Sequence, residues 1–508
     1  MKKLLSTNKE ERNRYYFQSL LIIIILLVYS FSINYPIFNN WDDQINILYN
    51  RRLSFTFNNI IYWFSHKCVG VYLPITMLSY MVDYSIWGLD SFGYHLQNIF
   101  WHIVTVLAIY NCFRLFNIKP WITFFLCLIF AVHPQRIESV VWLSERKDVL
   151  CASFYFLSIY FYIKSRDTKF SIIAFLFFIL SMLSKPMAVS LPIVLFLYEF
   201  YRSSVKSGKL SVISNQTCPP VLDEPRRKSE VGDQKSKIQH STFKIKHPAI
   251  FRVICKIRGS KFFELWPYFL VIILFIPITI ITQTDIKFES IPVSIYDKLY
   301  STIYNIYWYF KGTLIPGDLN PLYPTISFLY SATEVVVFYV AGFTFIIILF
   351  IKHRTLFIYK VLPILLCFII SLLPVVGLIR LGVIDHADRY SYIPSVFIWF
   401  LFGIFLTKFL YPNAIKEHEP MNKLHMSFLC NKKFVIYSLV LYSGLLIINN
   451  IEYQKIWENE FNLFSYSTNR KPNNFVAIIH LIDMEFERNN NRNILILADN
   501  LNSKVKCN

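Results

Sequence analysis

Tyr16–Pro36 reads YFQSLLIIIILLVYSFSINYP, and Asn39–Asn50, just beyond it, reads NNWDDQINILYN. The first stretch is apolar for roughly twenty residues, long enough to cross the hydrocarbon of a bilayer as a helix. Helices are the natural spanning element, because a backbone in lipid has to satisfy its own hydrogen bonds. The second stretch sets two adjacent carboxylates, Asp42 and Asp43, close to where that membrane would end. A solvated acidic helix end is the plain explanation. A catalytic carboxylate at the membrane boundary is the functional one.

The whole chain extends the first pattern. Of its 508 residues 55% are hydrophobic, with 48 Phe and 33 Tyr but only 13 Gly, and the mean hydropathy is +0.42. A soluble protein of this size would not carry so many long apolar runs. The nine cysteines are scattered at 68, 112, 127, 151, 218, 255, 367, 430 and 507. They form neither a CxxC pair nor a Cys/His cluster, so no zinc site or disulfide framework is indicated. The first apolar run lacks a small-residue cleavage site and reads as a retained anchor.

The fold class expected is an all-α polytopic membrane protein with about eleven transmembrane helices. They lie near 16–36, 96–116, 119–133, 149–163, 169–184, 187–201, 266–284, 330–351, 356–378, 392–411 and 433–450. The basic start MKKLLSTNKEERNR puts the N-terminus in the cytoplasm. Alternation then places 114–119, 164–169, 202–262, 352–355 and 412–432 inside as well, and the C-terminus outside. These inside pieces hold about 32 of the 51 Lys+Arg and about 11 of the 32 Asp+Glu, a balance near +21 against −2 outside. The formal charge of +19 is thus a topology signal and requires no nucleic-acid partner. The chain divides into 1–201, 202–262, 263–451 and 452–508. The second of these, with PPVLDEPRRKSEVGDQKSK at its centre, reads as a disordered basic cytoplasmic loop that can touch anionic lipid. The sequon at Asn215 faces the wrong side on this topology.

The outer pieces carry the polar residues that look placed. The loop 37–95 holds IIYWFSH and LPITMLSYMVDYSIWGL, which suit helices lying in the membrane interface. AVHPQRIESVVWLSERKDVL (131–150) begins a helix at Pro134. It spaces Glu138, Glu145 and Asp148 on one helical face, interleaved with Arg136, Arg146 and Lys147; a surface helix laced with salt bridges would read the same way. SKPMAVSLP (184–192) offers Lys185, either snorkelling or anchoring an anionic headgroup. YWYFKGTLIPGDLNPLYP (307–324) puts aromatics before Lys311, and Gly and Pro then break its helix. IRLGVIDHADRYSYIP (379–394) gathers Arg380, Asp385, His386, Asp388 and Arg389 before the tenth span. Tyr390 and Tyr392 follow at interface depth. Ionisable groups so near the bilayer are costly, which makes function the default reading.

Six of these stretches, FNNWDDQINI, GLDSFGYHLQNIFWH, HPQRIESVVWLSERKDVL, SKPMAVSLPIVL, DLNPLYP and ADRYSYIP, come in a fixed order. Together they resemble the membrane portion of the C-superfamily polytopic glycosyltransferases that carry C-terminal tetratricopeptide repeats. The likeness is to bacterial relatives of the transmembrane O-mannosyltransferases with such repeats, and it covers roughly residues 16–475. It favours a bacterial plasma membrane over an endoplasmic reticulum. Two departures stand out: the inserted 202–262 loop, and a tail in which KIWENEFNLFSYSTNRKPNNFVAIIHLI looks like one degenerate helical repeat. A repeat array needs several units to bury a common core, so recognition of the family's protein partner through repeats is in doubt.

The resemblance implies a GT-C bundle. It implies an inverting, O-mannosyltransferase-like transfer from a polyprenyl-phosphate sugar to a protein Ser/Thr or glycan hydroxyl on the outer face. Asp42 and Asp43 match the family's acidic pair. A carboxylate within reach of the acceptor can take its proton, and since neighbouring side chains splay apart, one of the two is expected to point at it, with Asp42 preferred. The leaving phosphate calls for cations: Arg389, Arg146, Lys185 and Lys311, with His386 as a hydrogen-bond donor. Bidentate grip favours Arg, and Asp385 and Asp388 are expected to orient Arg389. His133, Glu138, Glu145, Asp148, Asp388 and Tyr390 are expected to support the site. No metal is assigned, although Asp42, Asp43, Glu138 and Asp148 would suit a divalent cation if they converged. A flippase for lipid-linked sugars should show internal repeats and helices broken at mid-membrane. A non-catalytic scaffold should have lost the acidic pair. Neither pattern is present.

Overall fold

The computed structural model describes residues 2–164, 172–208, 264–283, 294–323, 332–377, 386–411, 431–472, 474–488, 493–495 and 497–498. The expected basic loop falls almost wholly outside the described residues, as do Arg380 and Asp385. Among the described residues the chain is helical, and its one β interaction is an isolated bridge between Cys68 and Val71.

A helix falls within each of the eleven expected spans, but helix length alone does not make each a crossing. Among the described residues four are long and apolar enough to traverse a membrane: Glu11–Ser32, Ser91–Leu115, Thr333–Lys352 and Lys432–Glu458. A fifth arises if Pro120–Val132 and Pro134–Val141, bent by 58° at His133, count as one broken span. Ile172–Ser184, Trp266–Thr279, Phe357–Leu372 and Pro394–Leu410 are apolar but shorter. The Thr333–Lys352 helix is 6% buried over its apolar window and presents Val336, Val337, Val340 and Phe343 outward. So large an exposed apolar face is stable against lipid and not against water.

Local chemistry sets the boundaries. Pro74, Pro120, Pro134, Pro186 and Pro394 open helices or 3₁₀ turns, where the missing N–H is not needed. Side chains of Thr56, Asp90, Asn459 and Asn474 accept hydrogen bonds from first-turn N–H groups. Gly93 is required by proximity, since a Cβ there would meet the Trp87 ring at 2.1 Å. That contact seats helix Pro74–Trp87 against helix Ser91–Leu115.

Three features differ from expectation. Residues 134–148 do not form one surface helix. They break into Pro134–Arg136, Ile137–Val141 and Leu143–Glu145 before helix Arg146–Lys164, and nearly every residue is buried. The bend at Pro134 folds this segment back into the bundle, so its charges become interior ones. The outer piece 285–329 contains a helix, Ile295–Leu314, whose many tyrosines and Lys311 hide it from a hydropathy reading. The tail forms two helices, Glu460–Arg470 and Phe475–Glu487, that pack on each other.

Candidate functional site

The folded-back segment brings three carboxylates against three cations. Glu145 is 1% exposed, with Lys147 Nζ at 2.8 Å, Arg389 Nε at 3.3 Å and Lys185 Nζ at 3.4 Å. Glu138 pairs with the Arg389 guanidinium and accepts its backbone N–H at 2.8 Å. Asp148 pairs with Lys185 and accepts from Ser139 Oγ at 3.2 Å. The Trp142 ring lies under Arg389 and Lys147, and the Tyr390 ring under Arg389 and Lys185. Burial would raise the Glu145 carboxyl, but Lys147, Lys185 and Arg389 outweigh it and hold the group well below the usual range. Charge balance explains why the group tolerates burial. Three acids neutralise three bases; removing Lys185 would strand Asp148 and removing Arg389 would strand Glu138, each at a cost of about 3–5 kcal/mol, whereas Glu145 keeps two cations if Lys147 is lost.

The acidic pair divides as neighbours on a turn do. Asp43 points in and is 1% exposed. Its Oδ1 accepts from the Ser144 N–H at 2.8 Å and from the Ser144 hydroxyl, and Oδ2 accepts from the Phe38 N–H at 3.4 Å. Burial raises Asp43 to about 7 in spite of the Ser144 and Phe38 donors, with Asp42 adding repulsion. That value would suit a base, but both oxygens are occupied by protein donors. Asp42 is partly exposed and its carboxylate has no hydrogen-bond or ion-pair partner among the described residues. Burial raises its pKa, Lys147 and Arg389 pull it down, and Glu145 pushes it up. It stands at the edge of the cluster, within the field of Lys147, Glu145 and Arg389, with part of its surface exposed.

Arg146 and Lys147 divide in the same way. Arg146 is wholly buried: Nη1 pairs with Asp83, Nε donates to Asn98 Oδ1 at 2.7 Å and Nη2 to the Tyr94 carbonyl at 2.8 Å. The guanidinium also stacks over Tyr80 at 4.6 Å. It ties helices Pro74–Trp87 and Ser91–Leu115 to the site and offers no free nitrogen to a phosphate, contrary to the sequence expectation. Lys147, noted in the sequence among the interleaved bases but not as a phosphate-binding candidate, is 14% exposed at the side chain and lies beside Asp42. Nothing in the local pattern separates two adjacent cations. Only the preference for Arg where several acceptors converge in a buried site hints at the order.

The other expected residues fall in three places. Lys185 and Arg389 are in the cluster, and Arg389 is oriented by Glu138 and Glu145. Asp388, expected as its partner, instead accepts from Tyr323 Oη at 3.1 Å and Gln135 Nε2 at 3.5 Å. The Nη2 edge of Arg389 has no partner among the described residues. His386 is fully buried among Trp308, Tyr323 and Tyr304, and burial lowers it to about 3, so it is a neutral ring in an aromatic box. His133 sits at the bend, where its Nδ1 accepts from the Gln135 N–H at 3.3 Å. Lys311 is half exposed and bound to Glu334 at 3.1 Å, so its partner lies outside the cluster. Asp43, Glu138 and Asp148 are already engaged by protein donors. Among the described residues no three His, Cys, Asp or Glu side chains gather as metal ligands.

The tail closes the site from the far end of the sequence. Trp41 stacks on Trp142 at 3.9 Å and lies 6.3 Å from Trp457 and 5.7 Å from Phe464. Ser467 and Asn474 hydrogen-bond Asn320 and the Leu322 carbonyl, fixing the loop that delivers Tyr323 to Asp388. A degenerate repeat read from sequence is thus a structural cap.

No family model and no solved structure matches the chain. Parts of it are similar to proteins named protein O-mannosyl-transferase. One is TMTC1 of Mus musculus, 28% identical over 192 residues, which cover 34% of this chain and 20% of that protein. Another is tmtc2 of Xenopus laevis, 38% identical over 106 residues, 21% of this chain and 12% of the relative. TMTC2 of Homo sapiens is 36% identical over 107 residues, 21% and 12%. The matched stretches therefore span a fifth or less of these relatives' own length. The chain is thus similar in part to proteins named protein O-mannosyl-transferase, and it has helices long and apolar enough to cross a membrane.

Proposed function

We propose that the chain transfers a sugar from a polyprenyl-phosphate-linked donor to a hydroxyl acceptor, a protein Ser/Thr or a glycan, at the outer face of a bacterial plasma membrane. The eleven apolar helices would form the bundle, some as crossings and the Pro120–Val141 pair as a re-entrant segment. The observation that carries this reading is the unpartnered carboxylate of Asp42 at the rim of a buried cluster whose exposed edge is cationic. The acceptor hydroxyl gives its proton to Asp42 as its oxygen bonds to the anomeric carbon. The bond from that carbon to the phosphate oxygen breaks, and the electron pair leaves with the phosphate. Attack opposite the leaving group inverts the anomeric centre. Lys147 and the free Nη2 edge of Arg389 stabilise the charge that grows on the phosphate, in a site where water is scarce. Lys185, Glu145, Glu138 and Asp148 hold those two cations in place. Asp43 fixes the loop.

The experiment is a comparison of glycoproteins and surface glycans between cells with and without the protein, read by mass spectrometry. Loss of a hexose from Ser/Thr sites or from one glycan supports the reading. Unchanged profiles, with an accumulated lipid-linked sugar on one leaflet, would favour a flippase instead.

A further inference from the structure

The Asp42 carboxylate makes no hydrogen bond among the described residues, so its position is set by the backbone on either side. On one side Asp43 is anchored to Ser144. On the other, Glu460 reaches across 420 residues of sequence: Oε1 accepts the Asn40 N–H at 2.5 Å and Oε2 faces Asn40 Nδ2 at 3.5 Å. Between these anchors Trp41 is gripped by Trp142 from below and by Trp457 and Phe464 of the tail.

We propose that Glu460 is a positioning residue for Asp42, holding the Asn39–Asn40 peptide from the tail and so setting where the base carboxylate stands. The inference rests on the reading of Asp42 as the base. It assigns the tail a part in transfer itself rather than in recognising a partner protein. Glu460 is the first residue of its helix, and an acid there also favours the helix dipole. That lesser role depends on charge, whereas the clamp depends on an acceptor oxygen. The two separate on substitution. Glu460→Gln keeps the oxygen and removes the charge; Glu460→Ala removes both.

The test uses the full-length purified protein. Misplacing a reacting group by about 1 Å costs on the order of 100-fold, so Glu460→Ala should lower kcat by roughly 10- to 100-fold. The donor KM should stay within about twofold, because donor contacts are not touched. Glu460→Gln should recover most of the rate. Hydrogen exchange at the Asn40 amide should speed up in the alanine variant and not in the glutamine one. If the alanine variant does not fold, Glu460→Asp, one methylene shorter, should show the same kcat loss. Unchanged kcat in Glu460→Ala, a glutamine variant as slow as the alanine one, or unchanged Asn40 exchange would each overturn the clamp. Asp42→Asn is measured alongside. If that variant transfers normally, the base assignment fails, while Asn40 exchange still reports on the clamp.

Discussion

Arg146→Lys and Lys147→Met should fail in opposite ways, although the residues are adjacent. Arg146 spends its guanidinium on three acceptors from two helices: Asp83, Asn98 and the Tyr94 carbonyl. A lysine keeps the charge but has one nitrogen at a different reach, so at least one charged hydrogen bond is lost and a buried acceptor is stranded. Each such bond is worth about 1.5–3 kcal/mol. Arg146→Lys should therefore cost about 3 kcal/mol, roughly a hundredfold in the folding equilibrium. Lys147 shares Glu145 with Lys185 and Arg389, so its loss leaves that carboxylate neutralised and should cost about 1 kcal/mol or less. Its cation, however, faces the proposed phosphate position, and transfer should fall on the order of tenfold or more. The assays are denaturation in detergent and transfer rate against donor concentration, run on both variants. Wild-type stability for Arg146→Lys together with a raised donor KM, and normal transfer in Lys147→Met, would refute this division of roles.

Removing the Lys147 cation should also move the pH profile. Its charge favours ionised Asp42, so the acid limb of kcat should shift to higher pH in Lys147→Met, and a shift downward would contradict the electrostatics. Arg389→Lys can hold Glu138 or Glu145 but not both, and the Nη2 edge is lost; donor KM should rise while expression persists, and an unchanged KM and kcat would remove Arg389 from the donor site. Ser144→Ala withdraws one donor from Asp43 and should cost about 1–2 kcal/mol in stability, measured by denaturation, with Asp42 chemistry less affected. Impermeant labelling of single cysteines should mark position 90 and spare position 230 in intact cells, and the reverse pattern would invert the topology.

The helices were legible because their signals are local. Apolar length marks Ser91–Leu115, Ala332–Lys352 and Lys432–Gln454 without any knowledge of neighbours, and Asp90 and Asn431 cap the first and last. The count of crossings was less so, since Arg146–Lys164 and Pro394–Leu410 gain burial from packing that hydropathy does not record. Part of the charged cluster, Glu138, Glu145, Lys147 and Asp148, could be read from the charge density of one segment, while Lys185 and Arg389 join it from elsewhere and Arg146 of the same segment turns to Asp83. The cluster's wiring could not be read this way. Helical periodicity assumes an unbroken helix, and the extended Trp142 between Ile137–Val141 and Leu143–Glu145 interrupts it. The in-or-out choice within Asp42–Asp43 and within Arg146–Lys147 depends on Ser144 and Asp83, residues distant in sequence from at least one partner. Glu460 was invisible for the same reason: it meets Asn40 only in the folded chain.

The central claim is that Asp42 is the base of a sugar transfer. Purified protein, reconstituted in lipid, is given a polyprenyl-phosphate-linked sugar and a hydroxyl acceptor, and product is counted for the wild type and Asp42→Asn. The account predicts transfer by the wild type and a rate about 100-fold lower or more for Asp42→Asn at saturating donor, the scale of a lost general base. Equal rates for the two proteins would contradict it.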